Sequence, residues 1–486
     1  MTLPDILRAT AARAPERPAF SHVQSGQTLR YAELEAQVDA VAAFLRAEGV
    51  LPGQRVALVA PNTVGCIVAS FAALAAGACV VPIAASQRPA EVQQILDAIA
   101  VNGCLVAPTA AEVVPGDAAV VTGCGDACEG FRYTWTDRDA MPPGHLTALD
   151  PAFIRFTSGT TAESRGVVLS HRAVLARVEA ADAVLGLRPD DRILWVLPLA
   201  YHFAVTIVGY VRAAAHTLLC SDFRPAALAT AADTHRATIL YGSPMHFARL
   251  ADSRSDTQLA SVRLALSTGT ALPAETARRF TDRFGIPLGQ AYGLIEAGLP
   301  CINTGHMGVP PTSVGPVVPG YAVAVFADDG ASVPAGTEGE VGVRGAGLFD
   351  AYFSPWRPRD DVMRAGWLMT GDVGVFDAAG ALHLRGRTKA VISVAGMKVF
   401  PEEVEARLDS HPAVRESRVF GRPHAHLGEV PYAEVVVRDD HRATFDADAV
   451  IAYCARELSS WKVPVKIAVV PAIPRTPGGK IMRRPA

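Results

Sequence analysis

The chain has no CxxC pair. Its eight cysteines, Cys66, Cys79, Cys104, Cys124, Cys128, Cys220, Cys301 and Cys454, are scattered over 486 residues. That scatter excludes a disulfide-dense framework and fits a reduced, cytoplasmic protein. Cys124 and Cys128 stand near each other, but no second Cys/His pair lies close enough to complete a metal site. A charge excess is missing too. Lys and Arg number 45 and Asp and Glu 48, a net charge of −3, which argues against a nucleic-acid binder. No membrane-length apolar run is present. The most apolar stretch, Val64 to Ala85, is interrupted by Gly77 and Pro82, so it reads as a buried helix followed by a buried strand. The first twenty residues, Met1 to Phe20, hold no apolar core of signal-peptide length. No GxxxxGK[ST] occurs, which removes the P-loop NTPases. Repeats and low-complexity tracts are absent as well.

What is present is a large apolar fraction, 50% of the residues, on a chain too long for one ordinary core. The first third alternates. Arg55 to Ala60 predicts a strand, Val64 to Ala76 a helix and Cys79 to Ile83 a strand. Glu91 to Ala100 predicts a helix and Cys104 to Val106 a strand. This βαβ pattern implies a mostly parallel sheet under helices. After Asp150 the alternation resumes, with strands at Ile193 to Leu197, Thr238 to Tyr241 and Leu264 to Ser267. From Gly315 to Leu384, short strands and Gly/Pro turns suggest a smaller β-rich subdomain. From Gly386 on, strands and two helices, Pro401 to Leu408 and Asp446 to Leu458, suggest an α+β domain of about 100 residues.

Thr157-Ser158-Gly159-Thr160-Thr161 follows the apolar strand Phe153 to Phe156 and precedes Val167 to Ser170. Hydroxyls and backbone amides around a glycine can donate to phosphate oxygens. Further segments follow in order: Ser267-Thr268-Gly269-Thr270-Ala271, Tyr292-Gly293-Leu294-Ile295-Glu296, Thr370-Gly371-Asp372, Gly386-Arg387-Thr388-Lys389, Val394-Ala395-Gly396-Met397-Lys398 and Pro474 to Lys480. This ordered set resembles the adenylate-forming superfamily of acyl-CoA synthetases, aryl-acid ligases, peptide-synthetase adenylation domains and luciferases. The resemblance spans nearly the whole chain.

The resemblance implies an α/β fold. A large N-terminal domain, residues 1–385, would hold parallel-rich αβαβα layered sheets and a β-rich subdomain. A small mobile α+β C-terminal domain, residues 386–486, would pivot near Lys389. It implies ATP-dependent activation of a carboxylic acid to acyl-AMP with release of pyrophosphate, then transfer to a thiol. Thr157, Ser158, Gly159, Thr160 and Thr161 would hold phosphate. Thr268, Gly269 and Thr270 would lie beside adenine and the acyl group, Tyr292 and Gly293 against adenine. Glu296 would hold Mg²⁺, Asp372 the ribose hydroxyls and Arg387 ribose or phosphate. Gly396 would line the thiol tunnel. Lys480, at the tip of a Gly/Pro arm, would bring an ammonium to the carboxylate and α-phosphate.

Three positions depart from the family pattern. Ala162 stands where glycine is usual, Arg165 where lysine is, and Ile295 where a phosphate-binding threonine is. Pro198 to Phe203 resembles the segment that places an aromatic or His, here His202, at the mouth of the acyl pocket. The following Phe203 to Ile207 offers no Asp, so a buried α-ammonium would go unpaired and an amino-acid substrate is disfavoured. Ala204, Val205, Val208, Gly242, Thr270 and Leu294 suggest an apolar slot for a fatty or aromatic acid. Coenzyme A is the preferred thiol. A phosphopantetheine on a separate acyl carrier protein is the alternative, since no carrier domain follows Lys480 within the six remaining residues. A degenerate binder without catalysis is the other alternative.

Overall fold

Helix Val64–Ala75 is buried along nearly its whole length, from Val64 through Leu74. A helix apolar on every side belongs between layers, and it contacts strands of two different sheets. Thr63 starts it by accepting a hydrogen bond from the Cys66 amide at 3.3 Å. The computed structural model describes residues 1–482 apart from residues 113, 115–117, 122–124, 158–164, 254–255, 395–396, 425–426 and 476–480.

Among the described residues the chain forms two compact units. The first comprises Met1–Pro311, Gly315–Ala322 and Arg344–Gly366; the second comprises Thr312–Val314, Val323–Val343 and the chain from Trp367 onward. Within the second unit Ser313 and Val314 both donate to the Leu382 carbonyl, at 2.9 Å each, at the start of strand Leu382–Arg387.

The first unit holds two mixed sheets. In the nine-stranded sheet the centre is parallel: Pro151–Thr157, Cys79–Ala84, Arg55–Ala60 and Gly103–Val106 lie side by side. In the eight-stranded sheet Leu288–Leu294, Leu264–Thr268, Ile239–Gly242, Arg192–Trp195, His216–Leu219 and Pro18–His22 run parallel. Antiparallel strands close both edges. The central strands are buried on both faces, as near-continuous apolar runs require. Helix Pro89–Ile99 covers one outer face through Val92, Ile95, Leu96 and Ile99, packed on Val59, Ile83, Ile154 and Val168. Phe247 and Phe280 cover the other sheet over Leu194, Leu240 and Leu288.

The second unit carries a four-stranded sheet, Tyr321–Phe326, Gly339–Gly345, Leu368–Phe376 and Leu382–Arg387, and a five-stranded sheet. Helices Pro401–Asp409 and Ala447–Ala455 pack on the latter through Val404, Leu408, Val450 and Cys454. No helix among the described residues is long and apolar enough to cross a membrane. Cys66, Cys79, Cys104, Cys128, Cys220, Cys301 and Cys454 are buried free thiols; Cys124 lies outside the described residues.

One buried ion pair ties the strand ends of the eight-stranded sheet. Asp191, 2% exposed on its side chain, accepts from Arg263 at 2.8 and 2.6 Å, from the Thr238 hydroxyl at 2.8 Å and from the Arg188 amide at 2.8 Å. Burial pushes its carboxyl up. The bonds from Arg263, Thr238 and Arg188 outweigh burial and hold its pKa below the usual carboxylate range. A depressed carboxylate stabilises the fold above its unfolded pKa, and that contribution is lost as pH falls through the folded value. We expect Asp191→Asn to cost about 3 kcal/mol at pH 7 and to flatten the loss of melting temperature on acidification below pH 4, read by thermal denaturation across pH.

Candidate active site

Glu296 sits at the tip of a hairpin made by Leu288–Leu294 and Gly298–Asn303. Its side chain is half-buried. Helix His171–Leu185 sends one residue into this tip: Arg177, 1% exposed. Its guanidinium donates to the Ile295 carbonyl at 3.0 Å and twice to the Gly347 carbonyl, at 3.1 and 2.6 Å. Gly298, at φ +79°, lets the chain turn where a Cβ would sit 3.0 Å from the Arg177 side chain. The Phe349 amide donates to the Glu296 carbonyl at 2.7 Å, Tyr321 donates to the Ala297 carbonyl, and the Tyr352 hydroxyl donates to Glu296 Oε1 at 3.1 Å. The carboxylate is therefore held at both backbone and side chain. A half-buried carboxylate with one oxygen oriented by a phenol is a hard oxygen donor that suits Mg²⁺ shared with phosphates.

Tyr292, 7% exposed, lies on the same hairpin, and its neighbour Ala291 accepts from the Thr268 hydroxyl at 3.2 Å. Thr268 ends the adjacent parallel strand, with Ser267 opposite Gln290. Beyond it Gly269 adopts φ +89°, and a Cβ there would meet nothing within 4 Å. Gly269, Thr270 and Gly293 are exposed. The structure thus brings Thr268, Gly269, Thr270, Tyr292, Gly293 and Glu296 to the carboxyl ends of neighbouring parallel strands, where open α/β sheets hold ligands.

His202 ends the turn Leu199–His202. Asn62 clamps the start of that segment, donating to the Leu197 carbonyl and accepting from the Leu199 amide, both at 2.8 Å. A single π-helical turn, Phe203–Ile207, follows, a feature often found at functional sites. Behind His202 lies an aromatic cluster: Trp195 meets His202 edge-on at 5.9 Å, stacks on Tyr241 at 5.6 Å and meets Tyr210 at 6.0 Å. In sequence these rings read only as strand and helix interior.

In the second unit, Asp372 and Arg387 are cross-strand partners, joined by Arg387 Nε to Asp372 Oδ1 at 2.8 Å. Thr370 orients the turn, accepting from the Asp372 amide at 3.1 Å and donating to the Val341 carbonyl at 2.9 Å. Glu340 accepts from the Gly371 amide at 3.1 Å. The base of the Pro474 to Lys480 arm is closed by a bridge between Arg475 and Ile481 and by the Met482 amide donating to the Pro474 carbonyl at 2.9 Å. Arg475 pairs with Glu416 at 2.6 Å, and Arg418 donates to the Met482 carbonyl.

Lys480, Gly396, Ser158, Gly159, Thr160 and Thr161 lie outside the described residues. Thr157 ends its strand opposite Arg165, and Lys389 falls in the short turn Thr388–Ala390. Sequence reasoning missed Arg177, Tyr352, Trp195 and Glu340. Arg177 had a visible signal, an arginine on the buried face of an alanine- and valine-rich helix. Tyr352 and Glu340 had none, because both act through chain segments far away in sequence.

Comparison with known proteins agrees with this geometry. Residues 7–353 match the AMP-binding enzyme family, and residues 403–480 match the AMP-binding enzyme C-terminal domain. A feruloyl-CoA synthase from an Amycolatopsis species is 32% identical, with 97% of this chain and 96% of that protein covered. A long-chain-fatty-acid–CoA ligase of Escherichia coli is 29% identical, covering 99% and 93%. The crystal structure of ATP-bound MatB from Rhodopseudomonas palustris superposes with a TM-score of 0.85 at 27% identity, covering 99% and 97% of the two chains. With most of its length matched in motif order, in sequence and in fold, the chain belongs to the AMP-binding, adenylate-forming enzyme family.

Proposed function

We propose that this chain is an AMP-forming acid–thiol ligase with a fatty or aromatic carboxylic acid as substrate and coenzyme A as acceptor. The observation that carries the reading is the Glu296 hairpin tip, held by Arg177 and Tyr352 beside the open Thr268 to Thr270 turn. A free-standing acyl carrier protein is the alternative acceptor, and a cytoplasmic location fits the free thiols. The aromatic cluster behind His202 favours a ring acid over a plain alkyl chain. We further propose a working division at residues 385 and 386 with Lys389 as pivot.

A carboxylate is a poor electrophile. In the first step its oxygen attacks the α-phosphorus of ATP, and the bond to the bridging oxygen breaks as pyrophosphate leaves. In the second step a thiol sulfur attacks the carbonyl of the mixed anhydride, AMP leaves and the thiol proton passes to solvent. The protein contributes position and positive charge rather than covalent chemistry. Glu296 would hold Mg²⁺, which supplies positive charge to the phosphates. Tyr292 and Gly293 would support adenine, and Thr157 to Thr161 would cradle phosphate. Asp372 and Arg387 would hold ribose, and Lys480 would carry its ammonium to the attacking oxygen. His202 would gate the acid. For the thiol step the Gly396 loop would replace the Lys480 arm, a closure of an ordinary kind.

Three outcomes test this. Lys480→Ala should lower adenylate formation by about 10²–10³-fold while thioester formation from supplied acyl-AMP persists; equal loss of both half-reactions would refute the two-state assignment. Arg177→Met should lower kcat for adenylate formation by about 10²-fold, since the Glu296 tip loses its bond at Ile295 and the Gly347 carbonyl loses two, with stopped-flow pyrophosphate release as the readout. An acid panel with and without coenzyme A should give pyrophosphate release with alkyl or aryl acids, strongest with ring acids, and a thioester mass in the coenzyme A lanes. Release confined to amino acids would overturn the pocket reading.

A further inference from the structure

Arg155 is a charged residue in the middle of the apolar strand Pro151–Thr157 and is only 4% exposed. Alternation along the strand turns Ile154 and Phe156 into the aliphatic core beneath helix Pro89–Ile99 and turns Phe153 and Arg155 to the opposite face. On that face Phe153 meets Phe203 at 5.8 Å, and the Arg155 guanidinium stands 6.0 Å from the centre of the Tyr201 ring. Arg155 therefore fronts the segment that carries His202. The neighbouring strand Cys79–Ala84 is buried except at Pro82. Val80 pairs with Phe153, so Pro82, two residues on, stands beside Arg155. Half-buried Pro82, Tyr201 and His202 thus mark the side on which this layer opens.

A buried guanidinium is unfavourable unless an anion or several acceptors meet it. Among the described residues Arg155 makes no hydrogen bond and no ion pair; its one close partner is the Tyr201 ring. Arg177 acts on it as a like charge, with its own donors engaged by the Gly347 and Ile295 carbonyls. Glu296 attracts it from the hairpin tip, but Oε1 of that carboxylate is engaged by Tyr352. Burial and Arg177 push the Arg155 pKa down to about 10 against the pull of Tyr201 and Glu296, so the side chain stays cationic at neutral pH.

We propose that Arg155 is the carboxylate anchor of the acid pocket, receiving the two oxygens of the substrate acid in its guanidinium fork between Tyr201 and the Glu296 tip. This rests on the ligase reading above. The planar fork matches a carboxylate bidentately, which a lysine cannot do. The anchor acts on the acid before attack. Once the acyl-AMP has formed, the carboxylate charge is gone, so the thiol step does not use it. The two half-reactions must therefore respond differently to its loss.

The test uses the full-length enzyme and the acid that releases most pyrophosphate with it. Arg155→Gln is expected to raise KM for the acid by about 10²-fold, to leave KM for ATP within about twofold, and to leave thioester formation from supplied acyl-AMP unchanged. Arg155→Lys keeps the charge but loses the fork, and KM for the acid should rise by about tenfold. A rise in KM for ATP with that for the acid unchanged would overturn the anchor and assign the arginine to phosphate. Equal loss in both half-reactions would overturn it in favour of a packing role. Where Arg155→Gln does not fold, an unchanged KM for the acid in Arg155→Lys overturns it. A wild-type enzyme that releases no pyrophosphate with any acid overturns the ligase reading itself, and the anchor with it.

Discussion

Three hydrogen bonds from one buried arginine hold the site together. Arg177 leaves helix His171–Leu185 and binds the carbonyls of Ile295 and Gly347, and the Phe349 amide and Tyr352 hydroxyl join the same two segments at Glu296. Backbone carbonyls at a hairpin tip and in a loop cannot be left unpaired in a buried place. A guanidinium, with five donors on several edges of a rigid plane, can satisfy both at once. Glu296, Tyr352 and Phe349 follow from that junction, because the loop bearing Phe349 and Tyr352 is brought to the tip by it.

The remainder of the first unit positions that junction. The parallel centre of the eight-stranded sheet places its carboxyl-terminal strand ends together, and the short turns after those ends carry Thr268 to Thr270 and the segment from Pro198 to His202. The apolar helix Val64–Ala75, whose one hydroxyl at Ser70 bonds back to the Cys66 carbonyl, packs against strands of both sheets. Buried charges in this unit include Arg55, Arg155, Arg177, Asp191 and Asp350. Asp191 and Arg177 are hydrogen-bonded by protein groups, whereas among the described residues the Arg155 side chain has no such bond. That contrast separates structural charges from one placed for a ligand.

The second unit uses other means toward similar ends. Asp372 and Arg387 are presented by direct cross-strand pairing, and Thr370 and Glu340 fix the turn between them. Arg475 bridges to Ile481 and pairs with Glu416, and Arg418 donates to the Met482 carbonyl. At Ile295 it is the backbone carbonyl, common to every residue type, that Arg177 grips.

Much was legible in the sequence. Strands such as Arg55–Ala60 and Leu264–Thr268 were recognisable because parallel strands buried on both faces need uninterrupted apolar runs. The family was legible because its ligand-binding segments are contiguous, each a few residues long. Element ends are less legible: the polar second half of strand Val414–His424 is held by pairing with Gly428–Val437 and not by apolarity. The chain alone thus determined the class of enzyme, the order of its parts and the apolar layers. Tertiary structure alone decided which carbonyls Arg177 joins, that Tyr352 orients Glu296, and that Arg155 faces Tyr201. These contacts unite residues more than forty positions apart, and local pattern carries no information about which buried charge will find a partner.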